Sequence, residues 1–266
     1  MKSKFKIFFC TYLFFVFSNE ANAQFGFSSE IGFFVGSVGF QSDYGEGSDI
    51  ASDINSGFGI GVVHFVNFAV DDRGYFNNST YFSDRFKLRT ELSYSKSDFK
   101  YSGRWIEGNP SLAKQQLAAM NGNTTLSNFS MQLEFFPRSI RDFTENVGSL
   151  GPYICFGAQY SFYTTEAKSS LGVPGTAQTT FPKYLTPTDD RPFGFSSESK
   201  SVFSIVSGIG LRYKIAESSD LMLELRGQYY FSDWVDGLKP NPDVYKENKT
   251  NDYLLWLSVG YVYSLR

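Results

Sequence analysis

The feature that most limits what this chain can fold into is a two-residue alternation, repeated behind an export signal. Within residues 86–95, Phe86, Leu88, Leu92 and Tyr94 fall on one face, and Lys87, Arg89, Glu91, Ser93 and Ser95 fall on the other. A strand turns its side chains over at every residue, so this is one apolar wall backed by one charged wall. A soluble all-β sandwich alternates too. It has no need of an export signal, aromatic-rich strands and a terminal aromatic strand together. Their combination predicts an all-β fold, an antiparallel transmembrane barrel with lipid outside and a polar interior.

The N-terminus reads Met1-Lys2-Ser3-Lys4-Phe5-Lys6, followed by an apolar run from Ile7 to Phe17 and then Ala21-Asn22-Ala23. A basic start, a short apolar stretch and a small-x-small site describe a cleaved secretory signal peptide, residues 1–23, cut between Ala23 and Gln24. The apolar run is too short for an ordinary spanning helix, and no other run reaches the roughly 18 residues such a helix needs. Cys10 lies within the signal, too early to be a lipidated cysteine. The mature chain, residues 24–266, therefore keeps Cys155 alone and has no intrachain disulfide.

Cleavage removes three lysines and one glutamate, leaving 21 basic against 26 acidic residues. That balance offers no basic patch and sets nucleic acid aside as a partner. Aromatic residues make up 18% of the chain, which suits girdles at two lipid–water boundaries. No linker divides the mature chain, so it is expected to form one barrel domain.

Eight strands are expected, near residues 29–40, 57–68, 86–97, 128–136, 153–163, 202–214, 221–231 and 253–265. Each is close to the roughly 9–11 residues of a membrane-crossing strand, and the number is even, as bacterial single-chain barrels require. The glycines of the first two (Gly32, Gly36, Gly39, Gly57, Gly59, Gly61) are expected to relieve crowding or permit bends. With the N-terminus in the periplasm, 41–56, 98–127, 164–201 and 232–252 become long extracellular loops. The inward turns are then 69–85, 137–152 and 215–220, of which only the first is long. A short helix from Ser111 to Met120, stopped at Asn121-Gly122, is expected in the second loop. The proline-bearing third loop (Pro174, Pro182, Pro187, Pro192) is expected to be irregular and mobile.

Little chemistry survives inspection. The single histidine, His64, has neither a second histidine nor a CxxC or HExxH companion, which leaves a metal site unsupported. Some small outer-membrane barrels are lipid A acylases or deacylases using His, Ser and an acid. Asp53 and Ser56 lie near His64 in sequence, but an interfacial place for His64 is the better expectation. Asp43-Tyr44-Gly45-Glu46 and Asp233-Trp234-Val235-Asp236-Gly237 lack the ligand spacing of an EF-hand and read as turns with interfacial anchors. Gly57-Phe58-Gly59-Ile60-Gly61 lacks the register and context of a dinucleotide site. Lys87, Arg89, Glu91, Glu134, Arg212, Glu224 and Arg226 point inward. An eight-stranded lumen is just wide enough for side chains to fill, so these are expected to form a plugging network rather than a pore lining. No catalytic, cofactor or metal residue is assigned.

The stretch from Ser219 through Leu221-Met222-Leu223-Glu224-Leu225-Arg226-Gly227 to Asp233-Trp234-Val235-Asp236-Gly237, with Leu150-Gly151-Pro152-Tyr153 and Phe40-Gln41-Ser42-Asp43-Tyr44-Gly45, resembles the PorG-type outer-membrane barrels of Bacteroidetes. The likeness is strongest over residues 150–237. It implies a non-enzymatic outer-membrane anchor for a periplasmic ring of a lipoprotein and its partner, serving type IX secretion and, in gliding bacteria, motility. It carries over no catalytic residue and no cofactor. A glutamate dehydrogenase label found on some flavobacterial relatives has no support in an exported, alternating chain. The expected partners are outer-membrane lipids and the periplasmic ring, the latter docking on inward segments such as Arg138 and Arg141. The rivals are a surface-contact or general envelope barrel, a lipid A enzyme using His64, and a conducting pore.

Overall fold

The computed structural model describes residues 27–44, 54–70, 80–102, 106–246 and 251–265. The expected signal segment and its Ala23–Gln24 cut lie outside these residues, as do Gly45, Glu46 and Asp53.

The elements run β1 (Ser28–Gln41), β2 (Ile54–Asn67), α1 (Tyr81–Arg85), β3 (Phe86–Lys100), α2 (Leu112–Ala119), β4 (Met120–Phe135), α3 (Ile140–Glu145), β5 (Leu150–Ser169), β6 (Glu198–Ala216), β7 (Ser219–Tyr230) and β8 (Tyr253–Leu265). The eight strands follow sequence order around a closed barrel, each antiparallel to its neighbours. β8 closes on β1, with Val35 opposite Val259. Closure pairs every sheet edge, which is what hydrocarbon demands of a sheet.

The expected register of faces holds. On β3, Lys87, Arg89, Glu91, Ser93, Ser95 and Ser97 are buried, while the alternate residues face out. On β5, Ile154, Phe156 and Phe162 are exposed, and on β8 Leu257, Val259 and Tyr263. The apolar wall is the outside of this barrel and the charged wall its inside. β8 has the expected bounds, but several strands are longer than expected. β4 starts at Met120 rather than near 128, and β5 continues to Ser169. Strands of 16 and 20 residues overrun the hydrocarbon and carry the barrel wall beyond it.

Of the helix expected at 111–120, the start is right and the stop is not. Ser111 caps α2 by accepting the Lys114 N–H, but Met120 turns extended and the chain runs directly into β4. Asn121 and Gly122 are strand residues, paired with Lys168 and Ala167. At the other end, α1 is closed by a capping box between Thr80 and Ser83. The β6–β7 connection is only residues 217–218. The connections after β1, β3, β5 and β7 lie at one end, the extracellular end of such barrels, and those after β2, β4 and β6 at the periplasmic end, where the β2–β3 connection, residues 68–85, is the long one, as expected.

Two of the glycines expected to relieve crowding do so against aromatic rings in the lumen. A Cβ on Gly59 would run into the Trp256 ring, and one on Gly61 would run into the Phe34 ring. Phe34 and Trp256 meet edge to face at 5.4 Å and fill the β1–β2 side of the barrel.

Candidate functional site: the filled lumen and its two ends

The inner half of the lumen is packed with charge. Among the described residues, Lys87, Arg89, Arg212, Lys214 and Arg226 face Glu30, Glu91, Glu134, Asp220 and Glu224, and all are buried. Five cations against five carboxylates leave the interior neutral. All seven charges expected inside are there; Glu30, Lys214 and Asp220 complete the set.

The contacts run in two clusters. In the first, Lys87 donates to Glu30 at 2.6 Å, Arg212 donates to the other Glu30 oxygen at 2.6 Å, and Lys214 lies 3.2 Å from Asp220. In the second, Arg89 bridges Glu91 at 2.7 Å and Glu224 at 2.5 Å, and Arg226 also pairs with Glu91. Glu134 joins the clusters, accepting from Arg89 at 3.4 Å and Arg212 at 3.0 Å. Aromatic rings border the cations: the Arg212 guanidinium stands 4.1 Å from the Phe65 ring centroid and that of Arg226 stands 4.9 Å from Trp256. Tyr153 donates its hydroxyl to Glu224 at 2.7 Å. Cys155 is a free, buried thiol at the same level, its Sγ 4.0 Å from Glu224.

The extracellular end is closed by the long connections. Tyr44, Tyr101 and Tyr184 come from three of them. The Tyr101 and Tyr184 hydroxyls are 2.7 Å apart, and Tyr184 donates to the Asp43 carbonyl at 3.2 Å. The fourth supplies Asp236, whose carboxylate accepts the Asp43 N–H at 2.7 Å. Asp252 accepts the N–H groups of Val235 (2.7 Å) and Asp236 (3.1 Å). Burial pushes both carboxyls well above the usual range, the nearby charges of Asp43 and Asp233 add to the rise, and Asp236 adds to that of Asp252.

Trp234, expected as an interfacial anchor, is corrected by the structure to a buried residue of the cap. It is 6% exposed, with the Arg191 guanidinium 3.7 Å above its ring and its indole N–H donated to Asp189 at 3.0 Å. Tyr44 is likewise buried, not interfacial. The turn at Gly237 is as expected, with φ at +90°. The 170–197 connection is irregular, yet Thr180 and Tyr184 are fully buried within it.

The periplasmic end carries α3, which buries Ile140 and Phe143 under the barrel. The Ser139 hydroxyl and the Arg141 N–H both donate to Asp84, tying this turn to α1. Arg138 is exposed beside it and Arg141 half-buried. His64 lies near this end of β2 and faces outward, opposite Ile31 and Thr90. Ser56 is eight residues away on the same strand, about 26 Å at strand rise, so the two do not form one site.

An apolar exterior, a charged neutral interior and a closed antiparallel sheet define a transmembrane β-barrel of the outer-membrane type, filled and capped. No family model matches the chain, and no curated protein matches it. Among solved structures it is similar to Ail, the attachment invasion locus protein of Yersinia pestis, in complex with the heparin analogue sucrose octasulfate (13% identity, 90% of this chain, 99% of that chain, TM-score 0.40). It is also similar to Neisserial surface protein A (12% identity, 88% and 96% coverage, TM-score 0.42). A third is a major outer membrane protein from Thermus thermophilus (14% identity, 88% and 99% coverage, TM-score 0.43). Likenesses of this size carry no weight beyond the strand pairing, and the assignment rests on the pairing and the apolar wall.

Proposed function

We propose that this barrel is a non-enzymatic outer-membrane anchor that works by binding at its ends. The observation that carries the reading is the neutral ion-pair floor: among the described residues ten buried charged side chains balance one another in charge and leave the inner lumen occupied. A barrel so filled offers its rims, not its interior, to other molecules. His64 stands on the outer wall and far from Ser56, so these two do not form the pair that the lipid A reading uses.

The periplasmic rim is the docking end in this reading. The resemblance over residues 150–237 to PorG-type barrels supports a periplasmic lipoprotein ring of type IX secretion as the partner. The turn after β4, with Arg138 and Arg141 at its surface, is the contact. A cross-linked pull-down of the tagged protein from detergent-solubilised outer membrane tests this, read by mass spectrometry. Recovery of the ring lipoprotein and its partner, lost on reversing both charges (Arg138→Glu, Arg141→Glu), supports it. Recovery of the barrel alone, with the ring detectable in the input, overturns it.

The folded extracellular cap favours a second reading, surface contact. Four connections joined through Asp43, Tyr101, Tyr184 and Asp236 present a built surface to the outside. In this case trimming residues 170–197 alters attachment and leaves protein export unchanged.

A further inference from the structure

Along the barrel axis the inward side chains change character in three layers. From the periplasmic end outward, β3 presents Lys87, Arg89 and Glu91, then Ser93, Ser95 and Ser97, then Phe99. β7 follows the same order with Glu224 and Arg226, Gln228, then Tyr230. The first layer is the ion-pair floor. The last is an aromatic lid: Phe40 packs on Phe99 at 5.1 Å and Tyr230 at 6.1 Å, and Tyr44 stacks on Phe99 at 5.4 Å. Tyr101 and Tyr184 lock it from above through the hydroxyl contact already described.

The layer between is uncharged and its hydrogen bonding is incomplete. Gln159 donates to Gln228 at 3.1 Å and Asn128 donates to Ser93 at 3.3 Å. The hydroxyls of Ser95, Ser97 and Ser204, the carbonyl oxygens of Asn128 and Gln159, and the amide nitrogen of Gln228 nonetheless have no protein partner, as is true of some floor atoms, among them Arg226 Nη2 and the Nε of Arg89 and Arg212. Each of these residues is at most 4% exposed. Buried polar groups are nearly always paired, with protein or with water. A band of unsatisfied hydroxyls and amides spread over β3 to β7 is a surface that water completes. The opposite wall, with Phe34 and Trp256 seated on glycines, is packed and apolar.

We propose that this barrel is a latent pore: when the tyrosine lid lifts and the Phe40, Phe99 and Tyr230 rings beneath it turn aside, water and small ions enter the middle layer, and the ion-pair floor is the barrier left between the exterior and the periplasm. The lid is the part that can move. Its Tyr44, Tyr101 and Tyr184 come from connections and are held by a few polar contacts, with Phe40, Phe99 and Tyr230 below them on strand ends, while the floor is bound into five strands. Opening the lid brings bulk water to the unpaired band, while ion pairs across the strands hold the floor side chains in place.

The test is cysteine accessibility in the full barrel, with Cys155→Ala as background. Ser95→Cys reports the middle layer, Val173→Cys on the exposed 170–197 connection is the positive control, and unaltered Cys155 in a second chain reports the floor. The probe is a cationic methanethiosulfonate added to reconstituted vesicles and read by mass spectrometry. The lid is opened by Tyr184→Ala, or more gently by Tyr101→Phe, which removes the hydroxyl contact and keeps the ring. Heat-modifiable migration on gels confirms that each barrel is folded.

The expected result is that the Ser95→Cys thiol reacts roughly tenfold or more faster once the lid is opened, the size of change a shifted lid equilibrium gives, while Cys155 stays unreactive. A Ser95→Cys thiol that stays protected in both folded lid variants, while the control reacts, overturns the proposal. So does equal reaction of Cys155, because the floor is then no barrier. In planar bilayers the lid variant alone is expected to be silent, and the lid variant combined with Arg89→Ser and Glu224→Ser to conduct. A folded combined variant that is silent also overturns it.

Discussion

Glu134 and Arg212 meet at 3.0 Å inside the barrel floor, and this contact joins two ion-pair clusters, of which the first also draws on β1 and β6 and the second on β3 and β7 alone. Glu134 takes Arg212 on one carboxylate oxygen and Arg89 on the other. Glu134→Gln keeps the shape and removes one negative charge from a balanced set, leaving a buried cation uncompensated. The expected loss is about 3–5 kcal/mol, the usual result of breaking a buried pair from one side. It is read as a lower urea midpoint in detergent micelles. Adding Arg89→Met restores neutrality and is expected to recover part of the loss.

Trp256 occupies the space that a side chain at position 59 would need. Gly59→Ala drives a methyl group into the ring and is expected to destabilise the barrel by about 1–3 kcal/mol through overpacking. Gly59→Ala with Trp256→Leu is expected to regain most of that. Equal stability of the single and double variants would show that the ring is not the neighbour that matters.

The cap is expected to respond to pH through Asp236 and Asp252. Both carboxyls lie above their unfolded values, so the folded cap binds more protons than the open one. Its stability is therefore greatest in mild acid and falls as pH rises from the usual carboxylate range through the raised values. Limited proteolysis of the long connections should be slower at pH 5 than at pH 8. Asp252→Asn, which cannot ionise, should flatten that dependence.

His64 stands on the outer wall, and His64→Ala is expected to leave the lipid A profile unchanged by mass spectrometry. A changed profile would reopen the enzymatic reading and weaken the anchor proposal with it.

The barrel was legible where the chain crosses hydrocarbon, because there the two faces differ chemically. β3 could be assigned face by face, and the bounds of β8 were right, since lipid selects their outward residues. The start of β4 was not legible. Asn121, Asn123, Thr125 and Ser127 lie on its outward face beyond the lipid, where nothing requires them to be apolar, and the alternation disappears. On β1, Gly32, Gly36 and Gly39 blurred the alternation, so Glu30 was not recognised as a lumen charge. On β8 the outward Leu255, Leu257, Val259, Tyr261 and Tyr263 put Trp256 inward by alternation, but nothing in the chain marked its ring as the neighbour of Gly59. The lid is a nonlocal assembly: Tyr44, Tyr101 and Tyr184 come from three separate connections, and no spacing within the chain announces it.

The balance of charge within the floor bears on how the barrel is made. Arg212 reaches Glu30 across 182 residues, and Arg89 reaches Glu224 across 135. Neither pair lies within a hairpin, so although Arg89 already has Glu91 and Glu134 beside it, an advancing edge of β1 to β4 would enter the membrane with one negative charge unbalanced. Neutrality arrives only as β6 and β7 come round to face β1 and β3. Insertion of this chain should therefore be an all-or-none event with a late barrier, slow as nonlocal topologies are. Half-built barrels should stay at the membrane surface, within reach of whatever machinery completes or removes them.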